Sequence, residues 1–532
     1  MQIFADERDC FAAPSSRQSR TIASWIDEGA IVATETVWAR KVHEAAARLK
    51  ASGFLERDSW IGGVWMGSRD VRAVTDPATG LPFAEVAWMK PEHMDCAVDH
   101  AQCAQKKWAA ALARQRGDAL RRLAAACRAN ATELAGVITL EQGKPLKEAL
   151  GEVHYGIEFF EWFAAESERA YGDTIPPHRS GVRLTVDLQP IGVVGIVTPW
   201  NFPFAMIARK AAAALSAGCS VVVKPAPETP LSAFALARMA QEAQLPQGVF
   251  NVVHGDGPSL VARMNQHVGV RALSFTGSTE VGRTLMRDAA ATVKRVSLEL
   301  GGHAPFIVFD DAPLQKAVDD CMKAKFATSG QDCLAVNRVY VQRHKYEPFC
   351  DALAEKVRAL RVGHGLEEST QIGPMTRRSV ADKCRRQIYD AVNVGGLVLA
   401  GGDQASSLGG NFVPPTLIVN ANDRMEIARE ETFGPVVAVM AFDSEDEVIV
   451  RANNSELGLA AYVQTESLGR AHRVAMALEY GMVGVNTPSF TGAAIPFGGW
   501  KQAGLGREGS RHGMVEFTEL KYTCTQIAAC ES

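Results

Sequence analysis

The chain has 532 residues, which at roughly 100–200 residues per domain gives two or three domains with ample core and excludes a small staple-dependent scaffold. Hydrophobic residues at 47%, charged at 22% and aromatic at 7% exclude disordered, collagen-like and membrane-spanning classes. Lys and Arg number 56 against 60 for Asp and Glu, a net charge of −4, so nothing points to nucleic acid or an anionic membrane surface, and the expected partner is a small molecule.

In chain order, the opening MQIFADERDC lacks the basic start and apolar core of a signal peptide, and its acids count against a transit peptide. Residues 1–52 form an N-terminal extension whose apolar spacing predicts a helix over 34–49, packed or solvated, with no function assigned. Residues 130–171 read as two long helices, with the aromatic residues of IEFFEWFAAESERA at helical spacing. From Pro190 onward, short β-branched runs alternate with helical segments: IGVVGIVT, a helix over 204–217, CSVVVK, a helix over 231–243, VFNVV and RALSFT. Such alternation predicts a parallel sheet wrapped by helices. A second alternating block over 302–486 holds IVFDD, NRVYVQ, LVLAGG and PVVAVMAF as strands, so two α/β domains are expected. No apolar run approaches the roughly 18 residues that span a bilayer. Eleven cysteines with no Cys-x-x-Cys pair fit reduced thiols in a cytoplasmic setting better than a disulfide framework or a metal site.

Several motifs can carry chemistry. The run of Gly504, Gly506 and Gly509 has the spacing of a dinucleotide fingerprint but lies near the C-terminus with no β-α-β unit after it, and is not read as one. FTGSTEVG (275–282) is better placed: small residues Gly277 and Ser278 join a strand end to a helix start, which reads either as a phosphate cradle or as an ordinary capped turn. Lys224 ends the run SVVVK, where doubly wound sheets carry ligands; it reads equally as a solvated strand-end lysine. Cys333 stands in the polar turn SGQDC, unlike Cys219 and Cys321 in apolar surroundings, so it is the candidate nucleophilic thiol. Glu299, between leucines and before a glycine pair, is a candidate general base if burial raises its pKa, and a surface strand-end acid otherwise.

The joint set TPWNFPF (198–204), KPAPETP (224–230), FTGSTEVG (275–282), LELGG (298–302), GQDC (330–333), EETFGPV (430–436) and IPFGGWKQAGLGREG (495–509) resembles the aldehyde dehydrogenase superfamily, in order and spacing. The resemblance implies an α/β fold with a Rossmann-like cofactor domain at 53–173 and 191–301, and a catalytic domain at 302–501. It adds a small β oligomerisation flap at 174–190 and 515–530, and a homodimer or homotetramer. It implies NAD or NADP as cofactor, and oxidation of an aldehyde to the acid through a thiohemiacetal and a thioester. Position by position, Cys333 matches the nucleophile, Glu299 the base and Asn201 the oxyanion donor. Lys224 matches the adenosine-ribose contact, Gly277 and Ser278 the pyrophosphate turn, Glu431 and Phe433 the nicotinamide-ribose clamp, and Trp200 the cofactor side.

Within the superfamily, FFEWFAAE, ERAYGDTIP and GREGSRHGMVEFTELKYTC are similar to succinate-semialdehyde dehydrogenases. Arg169 matches that group's carboxylate-binding arginine and Thr491 the hydroxyl of its pocket, but the second arginine is replaced by Ala327. A semialdehyde is the implied substrate, with a bulkier or aromatic aldehyde as the alternative. A CoA-acylating enzyme, against which Glu299 argues, and an inactive structural relative are the remaining readings. Pro227 stands where an NAD-selective relative carries a glutamate, which implies tolerance of NADP. Ala335 replaces the second cysteine of relatives that have a disulfide switch.

Overall fold

The computed structural model describes residues 37–402 and 410–527. Its first sheet has eight strands. Five are parallel, in the order Phe250–Val252, Ser220–Lys224, Val193–Val197, Val270–Thr276 and Arg295–Glu299. Strands Val193–Val197, Ser220–Lys224 and Phe250–Val252 build outward in one direction, and Val270–Thr276 returns to the other side of Val193–Val197. The strand order therefore reverses beside Val193–Val197, and in such sheets the crevice at the carboxyl ends of the reversing strands is where ligands bind. An antiparallel hairpin, Ser59–Ile61 with Val64–Met66, closes one edge. Gly504–Leu505 closes the other, so the glycine run near the C-terminus serves as an edge strand beside Glu299.

These strands are continuous apolar runs because helices cover both faces. Helix Ala205–Ala217, all of whose residues are buried, and Leu231–Glu242 lie on one side, with Ala131–Gln142 and Leu146–Glu166 behind them. The break between the last two falls at Gly143, which has φ 97° and closes the helix, and at Pro145, which opens the next. Two buried acids tie this layer together. Glu141 accepts from the backbone N–H groups of Leu231 and Ser232, at 2.8 Å each. Glu152 accepts from those of Phe204 and Ala205, at 3.0 and 3.1 Å. Each carboxylate thus meets the orphan donors and positive end of a helix.

The expected N-terminal helix is Val37–Ala51, with residues 34–36 outside the described residues. It buries Val42, Ala45, Ala46 and Leu49 against Ala131–Gln142, and Lys41 Nζ meets Glu367 Oε1 at 2.8 Å, so it is a packing helix.

The second sheet has seven strands, in the order Leu397–Ala400, Thr416–Val419, Val436–Phe442, Val336–Gln342, Ala304–Val308, Ala460–Gln464 and Met482–Val485, parallel except for the first. A third, antiparallel sheet joins Thr518–Gln526, Val182–Pro190 and Asp173–Ile175, with the first two paired over nine residues. No helix among the described residues is long and apolar enough to cross a membrane.

Candidate functional site

A cavity of about 1220 Å³ opens at the carboxyl ends of the first sheet's strands and is lined from the second sheet as well. Val197, Thr198, Trp200 and Asn201 reach it from the end of Val193–Val197, Lys224 and Pro227 from the next strand, and Phe275, Gly277 and Ser278 from Val270–Thr276. Cys333, Glu431, Phe433, Thr491 and Phe497 complete the other wall.

Cys333 follows a strained turn. Thr328 and Ser329 have φ of 50° and 56°, a left-handed pair that non-glycine residues keep only when the surroundings hold it. The Thr328 N–H donates to both oxygens of Glu148, at 3.1 and 3.0 Å, and Ser329 Oγ accepts from the Gly373 N–H at 2.9 Å. The Gln331 side chain accepts from the Thr376 N–H at 3.0 Å. Thus the turn is clamped from three directions, and Cys333 emerges partly exposed on the cavity wall. Burial, then the neighbouring carboxylates of Asp332 and Glu431, push its thiol well above the usual range, while the Arg209 guanidinium pulls it down.

Asn201 faces the same turn: its Nδ2 donates to the Gln331 carbonyl at 3.0 Å, leaving one amide hydrogen. Its own carbonyl is held at 2.8 Å by Lys144 Nζ, which also pairs with Glu152 Oε2 at 2.7 Å and lies 4.0 Å from the centre of the Phe202 ring. Since Glu152 caps the helix that follows, one fully buried ion pair fixes the entire stretch 200–205.

Glu299 is buried at the end of its strand, and neither carboxylate oxygen has a hydrogen-bond partner among the described residues. Burial and then the Glu508 carboxylate push it well above 4.5; Lys210, Arg209 and Arg507 oppose. Glu508 itself is paired with Arg209 at 3.2 Å and with Lys210 Nζ. An unpartnered buried carboxyl of raised pKa near a thiol has the properties of a poised base.

At the other end of the cavity, Gly277 lies against the Phe275 ring, whose tip is 2.4 Å from where a Cβ would stand, so any side chain there would have to displace that ring. Ser278 caps helix Thr279–Ala289 by accepting from the Val281 N–H at 3.4 Å, and the helix start faces the cavity. Lys224 is buried, has no hydrogen-bond partner among the described residues, and is lowered to about 8 by burial. Glu431 Oε1 accepts from the Gly302 N–H at 3.1 Å, and burial pushes its carboxyl up to about 7. Phe433, at φ 56°, sets its ring edge-on to Trp200 with centroids 5.4 Å apart. A helix start, an unpaired lysine, an acid and a pair of edge-on aromatics in one trough fit a dinucleotide.

Arg169 departs from expectation. It is outside the cavity lining, its side chain is 55% exposed, and Nη1 donates to Glu166 Oε1 at 2.9 Å. The acid three residues earlier lies on the same helical face and pairs with it. Thr491 and Ala327 do line the cavity, and Ala335 is buried. Sequence reasoning missed Lys144, Glu148, Glu152, Asp332 and Arg377. A lysine in the Gly-Lys-Pro break between two long helices and an acid directly before Cys333 were the available signals.

The family model described as "Aldehyde dehydrogenase family" matches residues 65–523. The chain is 47% identical over 478 residues to 3-sulfolactaldehyde dehydrogenase of Pseudomonas putida, covering 90% of this chain and 98% of that protein. It is 46% identical to the NADP(+) succinate-semialdehyde dehydrogenase GabD of Escherichia coli strain K12, covering 90% and 99%. Among solved structures, an aldehyde dehydrogenase from Brucella melitensis biovar abortus 2308 superposes with a TM-score of 0.88 at 47% identity, covering 89% of this chain and 98% of that one.

Proposed function

The chain belongs to the aldehyde dehydrogenase family, an NAD(P)-dependent group of enzymes, and on that premise we propose how its own residues divide the work. Cys333, as thiolate, attacks the aldehyde carbon, and the oxyanion of the resulting thiohemiacetal is stabilised by the remaining Asn201 amide hydrogen and the Cys333 backbone N–H. A bound NAD or NADP supplies the hydride acceptor. Lys224, Gly277, Ser278, Trp200, Glu431 and Phe433 hold and orient it. Glu299 then takes a proton from the water that cleaves the Cys333 thioester, and the acid leaves. The observation that carries this reading is a cavity-wall thiol that feels the charge of Glu299, a buried carboxylate just outside the cavity lining whose two oxygens have no partner among the described residues.

We assign residues 53–173 and 191–301 to cofactor binding, 302–501 to catalysis, and 174–190 with 515–530 to assembly of a homodimer or homotetramer. A semialdehyde is the substrate class, in keeping with the names of two relatives, the succinate- and glutarate-semialdehyde dehydrogenases. A second reading, a bulkier or aromatic aldehyde, is favoured by Ala327 in the cavity wall and by Arg169 lying outside it. The test is a panel of ω-carboxylated, aliphatic and aromatic aldehydes with NAD or NADP and no CoA, following reduced nicotinamide and acid. Acid formed in step with reduced nicotinamide supports the reaction, and turnover that requires CoA overturns it.

A further inference from the structure

Arg377 stands at the entry of helix Arg378–Asn393, in the part of the chain that follows Cys333, yet its side chain crosses to the first sheet's corner of the cavity. Its Nη2 lies 2.6 Å from Glu228 Oε1, and its guanidinium carbon is 5.9 Å from the centre of the Trp200 ring. Lys224 is at the same corner, its charge influenced by both Glu228 and Arg377. Pro227 between them offers no acid. The other nearby carboxylate, Asp256, is engaged in capping its own helix through the Ser259 N–H at 3.0 Å. Two cations therefore face two carboxylates, Glu228 and Asp256, yet only Arg377 is directly paired, and the second Glu228 oxygen is buried with no donor among the described residues.

This corner holds a buried ammonium with no hydrogen-bond partner among the described residues and, at the rim of an open trough, a half-exposed guanidinium. At 43% exposure the Arg377 side chain is free to turn, whereas Lys224 is fixed by burial. A guanidinium presents a planar fork that matches a phosphate bidentately, and a neighbouring ammonium adds a point charge. We propose that Arg377 is a cofactor-specificity residue: it leaves Glu228 to join Lys224 on a phosphate monoester carried by the adenosine ribose, and stays on Glu228 when that phosphate is absent. The proposal rests on the cavity being the dinucleotide site and adds to it the device that lets NADP enter alongside NAD.

The test compares binding of 2′,5′-ADP and 5′-AMP by calorimetry, and kcat/KM for NADP and NAD, in the wild type, Arg377→Ala, Arg377→Lys and Glu228→Gln. The expected result is a loss of about 10- to 100-fold for 2′,5′-ADP and NADP in Arg377→Ala, with 5′-AMP and NAD changed less than about 3-fold. Arg377→Lys should recover part of the loss, and Glu228→Gln should favour the phosphorylated ligands by removing the competing acid. Equal loss for both ligands, or no loss for either, overturns the proposal and leaves Arg377 as a brace between the two sheets. If neither nucleotide binds the wild-type enzyme, the assignment of the cavity itself falls, and the proposal with it.

Discussion

Cys333 and Glu299 share a requirement that decides how activity varies with pH: both act deprotonated, and both are held protonated to higher pH by burial. For each, the raised value means that the active form accumulates only as pH rises through it. Turnover should therefore still be climbing across neutral pH, with its acidic limb well above the ordinary carboxylate range near 4.5. A kcat profile from about pH 6 to 10 checks this, and a flat profile would count against the pairing. Cys333→Ala should abolish turnover, since no other group can hold the acyl intermediate. Glu299→Gln should release one equivalent of reduced nicotinamide in a burst and then stall at the thioester, because only deacylation needs the base. Loss of the burst itself would assign Glu299 a part in activating Cys333. The absence of a guanidinium at Ala327 carries a further expectation. Ala327→Arg should raise the preference for succinate semialdehyde over an uncharged aldehyde of equal length, by about 10-fold or more for one charge-assisted contact. Arg169→Ala should leave that ratio unchanged, given its partner Glu166.

At the scale of elements, the stretch 200–205 links the chemistry to two helices through Lys144 and Glu152. Lys144→Met strands the Glu152 carboxylate at full burial, a loss of about 3–5 kcal/mol for a broken buried pair, and frees the carbonyl of Asn201. The expected outcome is a lower melting temperature together with a fall in kcat that exceeds any change in cofactor KM. Unchanged kcat in a destabilised enzyme would reduce the pair to a structural brace.

The same region shows where sequence reading succeeds and stops. The strands Val193–Val197, Ser220–Lys224 and Val270–Thr276 were legible because burial on both faces leaves unbroken β-branched runs. Cys333 was legible because a cysteine in a polar glycine turn is unlike one in a core helix. Lys144 and Glu152, eight residues apart, were not, because the backbone groups they hold besides each other lie 57 and 52 residues away. For Arg169 the motif specifies the residue but not which neighbour its guanidinium takes, and the neighbour here is Glu166. Arg377 escaped notice because its partner Glu228 belongs to the other sheet's surroundings.

For the whole molecule, the third sheet is the part left open among the described residues. Thr518–Gln526 pairs on one side with Val182–Pro190 and forms the sheet's edge on the other. After the buried Thr518, every residue of that strand is exposed, Leu520 at 72% and Tyr522 at 55%. Tyr171 and Ile175, beside and within the sheet's other edge strand, are exposed as well. An open edge with unpaired backbone groups and large apolar side chains is a template for pairing with another chain, and in a symmetric assembly the same patch serves both partners. Hence the enzyme should run in solution as a dimer or tetramer, with this sheet at the interface. Replacing Leu520 by Lys and Tyr522 by Glu together puts charges where the contact would be dry, at little cost to a single chain in which both side chains already face solvent. Light scattering after size exclusion should show the wild type at a multiple of the single-chain mass and the double variant shifted toward one chain. A wild type that already runs as a single chain, or a double variant whose mass is unchanged, would refute the role given to this sheet.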